Sequence, residues 1–334
     1  MSNWGRVGPA WHSTGMQPGW GTPNNPVRPE VARIVRRSSL IMPVNVPRFI
    51  EKAHLRGADA IVLDLEDSIP MAEKAAARKL VREAVPLVAR GGADVLVRIN
   101  KPFDLAVADL DAVVWPGVKG IKFPKAESAE EIRILDALLT EREQARGLPV
   151  GSIQIAVGIE TALGLYNALD IATASPRIVS ISLGAEDFTR DLGVEPSPDG
   201  QELAWGKGMI VIVARLAGIQ AHGLPVSIAN YGDPEAFARH VQAAAQMGFV
   251  GASCIHPSQV PALNRYFSPS PEAVAHAREV IRVYEEAERT GRASVGLNDS
   301  MVDVPVVERA RRLLERAETI AAWEAHKAEA LARL

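Results

Sequence analysis

The chain has 334 residues, of which 47% are hydrophobic and 23% charged, and its formal net charge at pH 7 is −3. The sequence lacks a long basic block, which argues against nucleic-acid binding, and no apolar run approaches the roughly 18 residues that a membrane-spanning helix needs. Because the N-terminus also lacks a secretory signal pattern and the single cysteine, Cys254, can form no internal disulfide, we expect a cytoplasmic protein that binds a small molecule.

Residues 1–35 are predicted to form an irregular N-terminal arm. The first thirty residues are rich in glycine, proline and asparagine, include three tryptophans and show no periodicity. This composition fits a disordered segment or one that wraps around a neighbouring subunit. The tryptophans favour the second interpretation.

From residue 38 onward, short runs rich in Val and Ile alternate with longer segments of helical period, which is typical of repeated strand–helix units and a parallel sheet. The predicted strands are 39–43, 60–65, 95–99, 120–124, 153–160, 178–184, 224–228 and 250–255. Helices are predicted at 47–57, 72–90, 129–145, 162–174, 207–223 and 234–248. Eight strands close a (β/α)8 TIM barrel, so we predict an α/β barrel over residues 36–264.

Residues 265–334 follow the eighth predicted strand and are assigned to a C-terminal helical extension. They contain a helical segment at 271–291, a short stretch with glycine and asparagine, and a final helix that starts near Pro305. On composition alone, this extension would cap the barrel or contact another subunit.

Acids and bases follow most of the predicted strands, at the ends where the active sites of such barrels lie. They are Glu66 and Asp67 at strand two, Arg98 and Asn100 at strand three, Lys122 and Lys125 at strand four, Glu160 at strand five, Glu186 and Asp187 at strand six, and His256 at strand eight. We expect them to converge on one rim. An acid at a strand end can also cap the next helix, and that reading or a supporting role stays open for Glu66, Asp67 and Lys125.

Glu160 and Asp187 follow glycine-containing strands that are almost wholly apolar. Two carboxylates brought together repel, and the pKa of one rises unless a cation lies between them. Mg²⁺ is bound in this manner, by one or two carboxylates with waters and substrate oxygens completing the shell. We therefore predict a Mg²⁺ site at this pair, with Mn²⁺ as the alternative ion. No second His or Cys stands at ligand spacing from His256, so zinc is not expected.

Arg98 lies inside a predicted strand and would place a fixed cation in the barrel mouth. The planar guanidinium group of Arg98 is suited to donate hydrogen bonds to a carboxylate or to a developing enolate oxygen. The alternative is a buried ion pair with Glu66 or Asp67, and the two roles are compatible. Redox cofactor chemistry is disfavoured, because the sequence carries no GxGxxG after a strand, no Walker A motif, no GxSxG and no HExxH.

Seven strings resemble the citrate lyase beta-subunit-like branch of the HpcH/HpaI aldolase family over about residues 36–320: RRSSLIMPVNVPRFIEKAHLRGADAIVLDLEDSIP, VLVRIN, GIKFPKAES, IETALG, LGAEDF, CIHPSQV and MVDVP. The resemblance implies a (β/α)8 enzyme, a homotrimer or homohexamer, that cleaves or forms the bond between a thioester enolate and a 2-oxo acid. Members act on malyl-CoA, citramalyl-CoA, methylmalyl-CoA or citryl thioesters.

By this resemblance, Glu160 and Asp187 match the family's Mg²⁺ ligands, and Arg98 matches its substrate-binding arginine. Lys52 matches a lysine that contacts CoA. Asp303 of MVDVP matches an acid that a neighbouring subunit delivers into the site, where it would remove the α-proton of the acyl-CoA. The expected catalytic residues are thus Asp303 and Arg98, while Glu160 also contacts substrate.

Two positions depart from the family pattern. Ser227 stands near a place where many relatives have an acid, and Val44 stands where many have glycine, so the substrate pocket is expected to differ there. Three alternatives to the lyase remain: a thioesterase that uses the same Mg²⁺ and Asp303, a class II aldolase for free 2-keto-3-deoxy sugar acids, and a non-catalytic binding subunit. Lys52 and the C-terminal acid argue against the aldolase, and the intact metal pair argues against the binding subunit.

Overall fold

The computed structural model describes residues 27–229, 232–290, 294–298 and 300–334. Most of the predicted N-terminal arm lies outside these ranges. Its described end contains a short helix, α1 (Pro29–Ala32), and the irregular arm as a whole stays a prediction. Proline at the first helical position favours helix initiation, and Val31 is fully buried.

Eight parallel strands form the central sheet. They are β1 (Ser38–Pro43), β2 (Ala60–Asp64), β3 (Asp94–Arg98), β4 (Gly120–Phe123), β5 (Gln154–Ile159), β6 (Ile178–Leu183), β7 (Gln220–His222) and β8 (Ala252–Cys254). Their order is β7-β6-β5-β4-β3-β2-β1-β8. Backbone hydrogen bonds from Gly223 to Gly251 (2.9 Å) and from Val250 to Ala221 (3.1 Å) join the two edges. This closure confirms the predicted (β/α)8 class.

Helices cover the outside of the barrel and continue beyond it. Among the described residues, the α-helices after α1 are α2 (Pro47–Ile50), α3 (Lys74–Val88), α4 (Phe103–Val113), α5 (Ala129–Ala145), α6 (Ala162–Tyr166), α7 (Ala168–Thr173), α8 (Ala185–Leu192), α9 (Ala204–Ala217), α10 (Pro234–Met247), α11 (Val260–Tyr266), α12 (Pro271–Arg289) and α13 (Val304–Ala332). Short 3-10 helices occupy Ala53–Leu55, Met71–Glu73, Ala89–Gly91, Gln201–Leu203 and Pro257–Gln259. Within the described ranges, no helix is long and apolar enough to cross a membrane.

The seventh strand was predicted in the wrong place. We expected it at 224–228, after a helix over 207–223. In the structure, α9 ends at Ala217, because Gly218 adopts the left-handed conformation (φ 67°) that terminates helices. The next buried segment, Gln220–His222, is the strand, and residues 224–228 lie in the loop after it. Three residues are too few to show a strand's alternating pattern.

Side chains alternate between the barrel axis and the surrounding helices. On β2, Ile61 and Leu63 belong to the main core beneath the helices, whereas Ala60 and Val62 pack with Leu96 in a separate small cluster. We place that second cluster on the barrel axis. Its members lie at every second position, so the following residue of the same phase, Asp64, also points inward.

The C-terminal segment has its own small core. Helix α12, α13 and an antiparallel hairpin of β9 (Val295–Leu297) and β10 (Ser300–Val302) pack around Ala277, Val280, Tyr284, Val302, Val307 and Ala310. The far end of α13 is tied to the barrel by Lys327, which pairs with Asp59 at 2.8 Å, just before β2. The division of the chain at residue 264 stays a prediction.

Candidate active site

A pocket of about 280 Å³ opens at the carboxyl ends of the barrel strands. Six of the acids and bases predicted at the strand ends line it, namely Asp67, Arg98, Lys122, Glu160, Glu186 and Asp187. Its lining also includes Lys207, His222 and Ser253. A second concavity, of about 430 Å³, lies beside Trp115 and has no carboxylate or histidine in its lining. The first pocket is therefore the candidate active site.

Strand register brings three charged side chains together beneath this pocket. Asp64 of β2 pairs in register with Arg98 of β3, and Arg98 pairs with Lys122 of β4. All three occupy the inward phase of their strands. Neighbouring strands lie about 4.8 Å apart, so these groups interact directly.

Arg98 is held by two buried carboxylates. Its Nε and Nη2 donate to the two carboxylate oxygens of Asp64 at 2.6 and 2.7 Å, and its Nη1 lies 2.9 Å from Glu66 Oε2. Burial opposes ionisation of Asp64, but the hydrogen bonds and charge of Arg98, together with hydrogen bonds from Ser68 and the Glu66 N–H, outweigh burial and hold the pKa of Asp64 below its usual value. The predicted ion pair with Glu66 exists, and the principal partner, Asp64, was not predicted. Arg98 still presents part of its surface to the pocket.

Lys125 crosslinks the acids that follow β2. Its Nζ donates to Glu66 Oε1 and to Asp67 Oδ1, the latter at 3.0 Å. Its backbone is left-handed (φ 53°), a strained conformation for a residue with a long side chain. Its Nζ also lies 3.6 Å from Asp187, which links this cluster to the predicted metal pair.

Glu160 and Asp187 meet at the mouth of the pocket. Glu160 directly follows β5 and is 8% exposed, and Asp187 lies in the first turn of α8. Burial, the hydrogen bond with Asp187 and the negative charge of Glu66 together raise the pKa of Glu160 to about 8. Asp187 also contacts Arg190 at 2.7 Å. Within the described part of the chain, Glu160 forms no ion pair.

Gly184, between β6 and α8, allows this pairing. A Cβ atom at Gly184 would lie 2.8 Å from Glu160 Cγ and 3.0 Å from its Cδ, which is closer than real contacts permit. The backbone therefore approaches the glutamate to a distance that no side chain would allow.

The chemistry of this donor set fits Mg²⁺. A buried pair of carboxylates that share one proton favours a divalent cation, which would replace that proton. No group of three or more His, Cys, Asp or Glu that could hold a metal occurs among the described residues, so the protein would supply two oxygen ligands here. Mg²⁺ tolerates such a set because it keeps several waters, whereas structural zinc requires a fuller set of nitrogen or sulfur ligands.

The raised pKa of Glu160 predicts how metal-free stability depends on pH. The folded pKa, about 8, exceeds the ordinary value of 4.5. The contribution of protonated Glu160 to the free energy of unfolding is therefore complete below pH 4.5 and is lost as pH rises through 8. We expect urea unfolding in EDTA to show a loss of at most about 4–5 kcal/mol across this window, and Mg²⁺ to reverse it. If the Glu160→Gln variant in EDTA lost as much stability with rising pH as the parent protein, this assignment would be contradicted.

Lys52 and Asp303, two of the predicted site residues, are absent from the lining of this chain's pocket and contact none of its predicted acids. Lys52 is exposed and precedes the 3-10 helix that follows α2. Asp303 precedes α13, where its carboxylate accepts a hydrogen bond from the Val306 N–H at 3.3 Å. Thirteen residues later on the same helix, Arg316 donates to Ile34 O, before β1. Because a helix rises 1.5 Å per residue, Asp303 and Arg316 are about 20 Å apart along the axis of α13. The contact of Arg316 with Ile34 lies at the end of the barrel opposite the pocket.

Sequence reasoning missed three titratable residues of the site, Asp64, Lys207 and His222. The sequence marks Asp64, because this acid interrupts an apolar strand two positions before Glu66. It also marks Lys207, a lysine at the start of an otherwise apolar helical segment. No sequence pattern marked His222, because it was assigned to the end of a predicted helix. Of the two departures from the family pattern, Ser227 donates a hydrogen bond to Glu186 at the pocket rim, and Val44 is buried.

Comparisons with known proteins identify the family to which the chain is similar. The model of the family described as HpcH/HpaI aldolase/citrate lyase matches residues 37–257. The citrate lyase subunit beta of Leuconostoc mesenteroides subsp. cremoris is 40% identical over 286 residues, covering 85% of this chain and 93% of that protein. The L-malyl-CoA/beta-methylmalyl-CoA lyase of Cereibacter sphaeroides is 33% identical over 323 residues, covering 90% and 98%. The crystal structure of CitE from Mycobacterium tuberculosis with magnesium, acetoacetate and coenzyme A has a TM-score of 0.67 at 28% identity, covering 86% and 99%.

Proposed function

The chain belongs to the HpcH/HpaI aldolase/citrate lyase family, and from this membership we propose that it acts with Mg²⁺ on a 3-hydroxyacyl-CoA thioester. It is a carbon–carbon lyase of the aldolase and CoA-ester lyase type. The proposed substrates are malyl-CoA, citramalyl-CoA or methylmalyl-CoA, cleaved to or formed from a 2-oxo acid and an acyl-CoA. The observation that carries the proposal is the buried Glu160–Asp187 pair beside Arg98 in one pocket.

Glu160 and Asp187 would hold the Mg²⁺. When bound there, the ion supplies positive charge that polarises the 2-oxygen and the carboxylate of the acid portion. The related CitE protein was crystallised with magnesium and coenzyme A, which supports both ligands for this chain. The proposed CoA contact is Lys52, whose exposed position leaves it accessible to a long cofactor.

Arg98 would stabilise the negative charge that develops on the 2-oxygen. Asp64 and Glu66 fix its guanidinium, so little reorganisation is needed when that charge appears. Glu66 and Asp67 would act only indirectly, by positioning the cationic side chains of Arg98 and Lys125. The Lys125 ammonium donates hydrogen bonds to both carboxylates.

Proton transfer is assigned to Asp303 of a neighbouring subunit. In condensation, Asp303 would take the α-proton of the acyl-CoA, and the resulting enolate carbon would bond to the carbonyl carbon of the 2-oxo acid. In cleavage, a base takes the hydroxyl proton, the carbon–carbon bond breaks, and its electron pair forms the thioester enolate. Asp303 then returns a proton to that carbon.

This role requires an oligomer, for which we propose a homotrimer or homohexamer in the cytoplasm. In it, the C-terminal extension (265–334) would complete a neighbour's pocket. Asp303 is absent from the described residues that line its own chain's pocket, which supports delivery to another subunit. Met301 and Val304, next to Asp303, are 66% and 52% exposed, as expected of residues that a neighbouring subunit covers.

A spectrophotometric screen of the three thioesters, with Mg²⁺ and with EDTA, tests the proposal. Mg²⁺-dependent release of a 2-oxo acid together with acetyl-CoA or propionyl-CoA would support it. Release of free CoA and the intact hydroxy acid would favour the thioesterase, and turnover of free 2-keto-3-deoxy sugar acids would favour the aldolase. No response to any thioester would overturn the lyase assignment.

A further inference from the structure

Helix α9 is apolar on both its inner and its outer side. Only Lys207 and Arg215 of its 14 residues are charged, and Lys207 is buried. The outer side carries Trp205, Ile212 and Leu216, which fall on one stripe because an α-helix has 3.6 residues per turn. We call this stripe the outer face of α9. A helix that is hydrophobic all round is expected to be covered on both sides.

The described residues leave the outer face of α9 exposed. Trp205 is 72% exposed, Ile212 54% and Leu216 50%. The two helices that contact α9 extend this apolar surface, since α6 adds the exposed side chain of Tyr166 and α7 adds that of Leu169. Continuous apolar surfaces of this kind usually bind a partner, so we expect the outer face to be covered in the folded protein.

The described part of the chain begins beside this face. The N–H of Arg28 donates to the carbonyl oxygen of Gly218 at 3.0 Å, and Gly218 directly follows α9. The Arg28 guanidinium also donates through Nη1 to Pro176 O at 2.8 Å, shortly after α7. These bonds fix the chain at the end of α9 that carries Leu216. The residues that precede Arg28 are therefore attached next to the outer face.

The preceding residues have a composition that suits an apolar surface. Residues 1–26 lie outside the described ranges, and their sequence includes Trp4, Trp11 and Trp20. Arg6 is their only Lys, Arg, Asp or Glu. Tryptophan buries more apolar area than most side chains, and a segment with so few charges loses little hydration when it is covered.

The length of this segment is also sufficient. An extended chain spans about 3.3 Å per residue, so the eight residues from Trp20 to Arg28 reach up to about 26 Å. The outer face extends about 20 Å from Gly218 to Trp205, because α9 rises 1.5 Å per residue. Trp20 can therefore reach any part of the face.

We propose that residues 1–26 bind the outer face of α9 in the same chain, with their tryptophans against Trp205, Ile212 and Leu216. The proposal goes beyond the proposed function and does not depend on it, because none of these three residues lines the active-site pocket. Attachment at Gly218 favours this segment over a second subunit, since the segment is already held beside the face.

Thiol labelling of the full chain tests whether the face is covered. The native Cys254 is fully buried and does not compete. Ile212→Cys places a thiol on the outer face, and Ile134→Cys on α5 is the matched control, because Ile134 is 48% exposed. We expect Ile212→Cys to react with a thiol reagent at least about 10-fold more slowly than Ile134→Cys. Equal rates would overturn the proposal.

Replacing Trp4, Trp11 and Trp20 together by serine tests the identity of the occupant. In that background, labelling of Ile212→Cys should accelerate to within about 3-fold of the control, while Ile134→Cys keeps its rate. Protection that survives the triple replacement would mean that a second subunit covers the face, which would overturn the proposal. If circular dichroism shows that the triple replacement alters the fold, Trp20→Ser alone carries the same test.

Co-expression shows whether the segment acts within its own chain. Chains with Ile212→Cys and the triple replacement are combined with an excess of chains that keep the native tryptophans and lack the introduced thiol. Continued rapid labelling would support binding within one chain. Restored protection would mean that the segment comes from a neighbouring subunit, and it would overturn the assignment to the same chain.

Discussion

Replacing Glu160 with glutamine is expected to lower lyase turnover by about 1,000-fold or more, because the metal loses a charged ligand and with it several kcal/mol of transition-state stabilisation. Glutamine has nearly the size of glutamate, so the packing against Gly184 is retained. The folded protein without metal should be as stable as the parent at pH 6, or more stable, because the amide is neutral in both states, whereas Glu160 must take up a proton on folding at this pH. Steady-state kinetics with saturating Mg²⁺ and calorimetric Mg²⁺ titration measure the two effects.

Glu195→Gln is the control for that experiment, since Glu195 is an exposed glutamate shortly after α8 and lies outside the pocket lining. It should leave turnover and Mg²⁺ affinity unchanged. Asp187→Asn should reproduce the loss seen with Glu160→Gln. Retention of turnover within tenfold in either metal-pair variant would contradict the assignment of the pair.

The second large effect is expected at Asp303, which we propose acts in another subunit's pocket. Asp303→Asn should abolish α-proton exchange and lower turnover by at least about 100-fold, since general acid–base groups contribute at this level. Asparagine is the appropriate replacement because it caps helices as well as aspartate does, so the start of α13 keeps its hydrogen bond to Val306. Size-exclusion chromatography should show an unchanged assembly.

Mixed assemblies show whether Asp303 acts in a neighbouring subunit's pocket or in the pocket of its own chain. Asp303→Asn and Glu160→Gln chains are each expected to be inactive, but co-expressed at equal amounts they should regain about a quarter of full activity, because a site is intact when both contributing chains supply the native residue. Co-expression of Asp303→Asn chains with chains that carry both substitutions should restore no activity, because no chain then supplies Asp303. A 1:1 mixture as inactive as its parents would contradict the proposed exchange between subunits.

The strands of the barrel were predictable wherever the apolar run was long. Seven of the eight predicted ranges overlap observed strands, from β1 to β6 and β8. The failure at β7 has a local cause, because a three-residue strand with Gln220 and His222 in it resembles a helix end more than a strand. The left-handed Gly218 was the available signal, since glycine commonly terminates a helix.

The acids and bases at strand ends were likewise predictable, because every parallel strand ends at the same rim. That rule selected Glu160, Asp187 and Arg98 without knowledge of their contacts. It did not select Asp64, which lies one step inside the rim. It also gave no account of Asp303, whose expected role came from the family resemblance.

The sequence by itself determined the barrel class and the rim on which the candidate metal pair lies, since hydrophobic periodicity and strand direction are local properties of the chain. Only the tertiary structure decided which charges meet. Strand register joined Asp64 to Arg98, a close backbone approach at Gly184 seated Glu160 against Asp187, and the packing of α9 on β6 buried Lys207 with no counter-ion among the described residues. These contacts link residues more than twenty positions apart, and their energies depend on desolvation and on the exact neighbours, which no local pattern encodes.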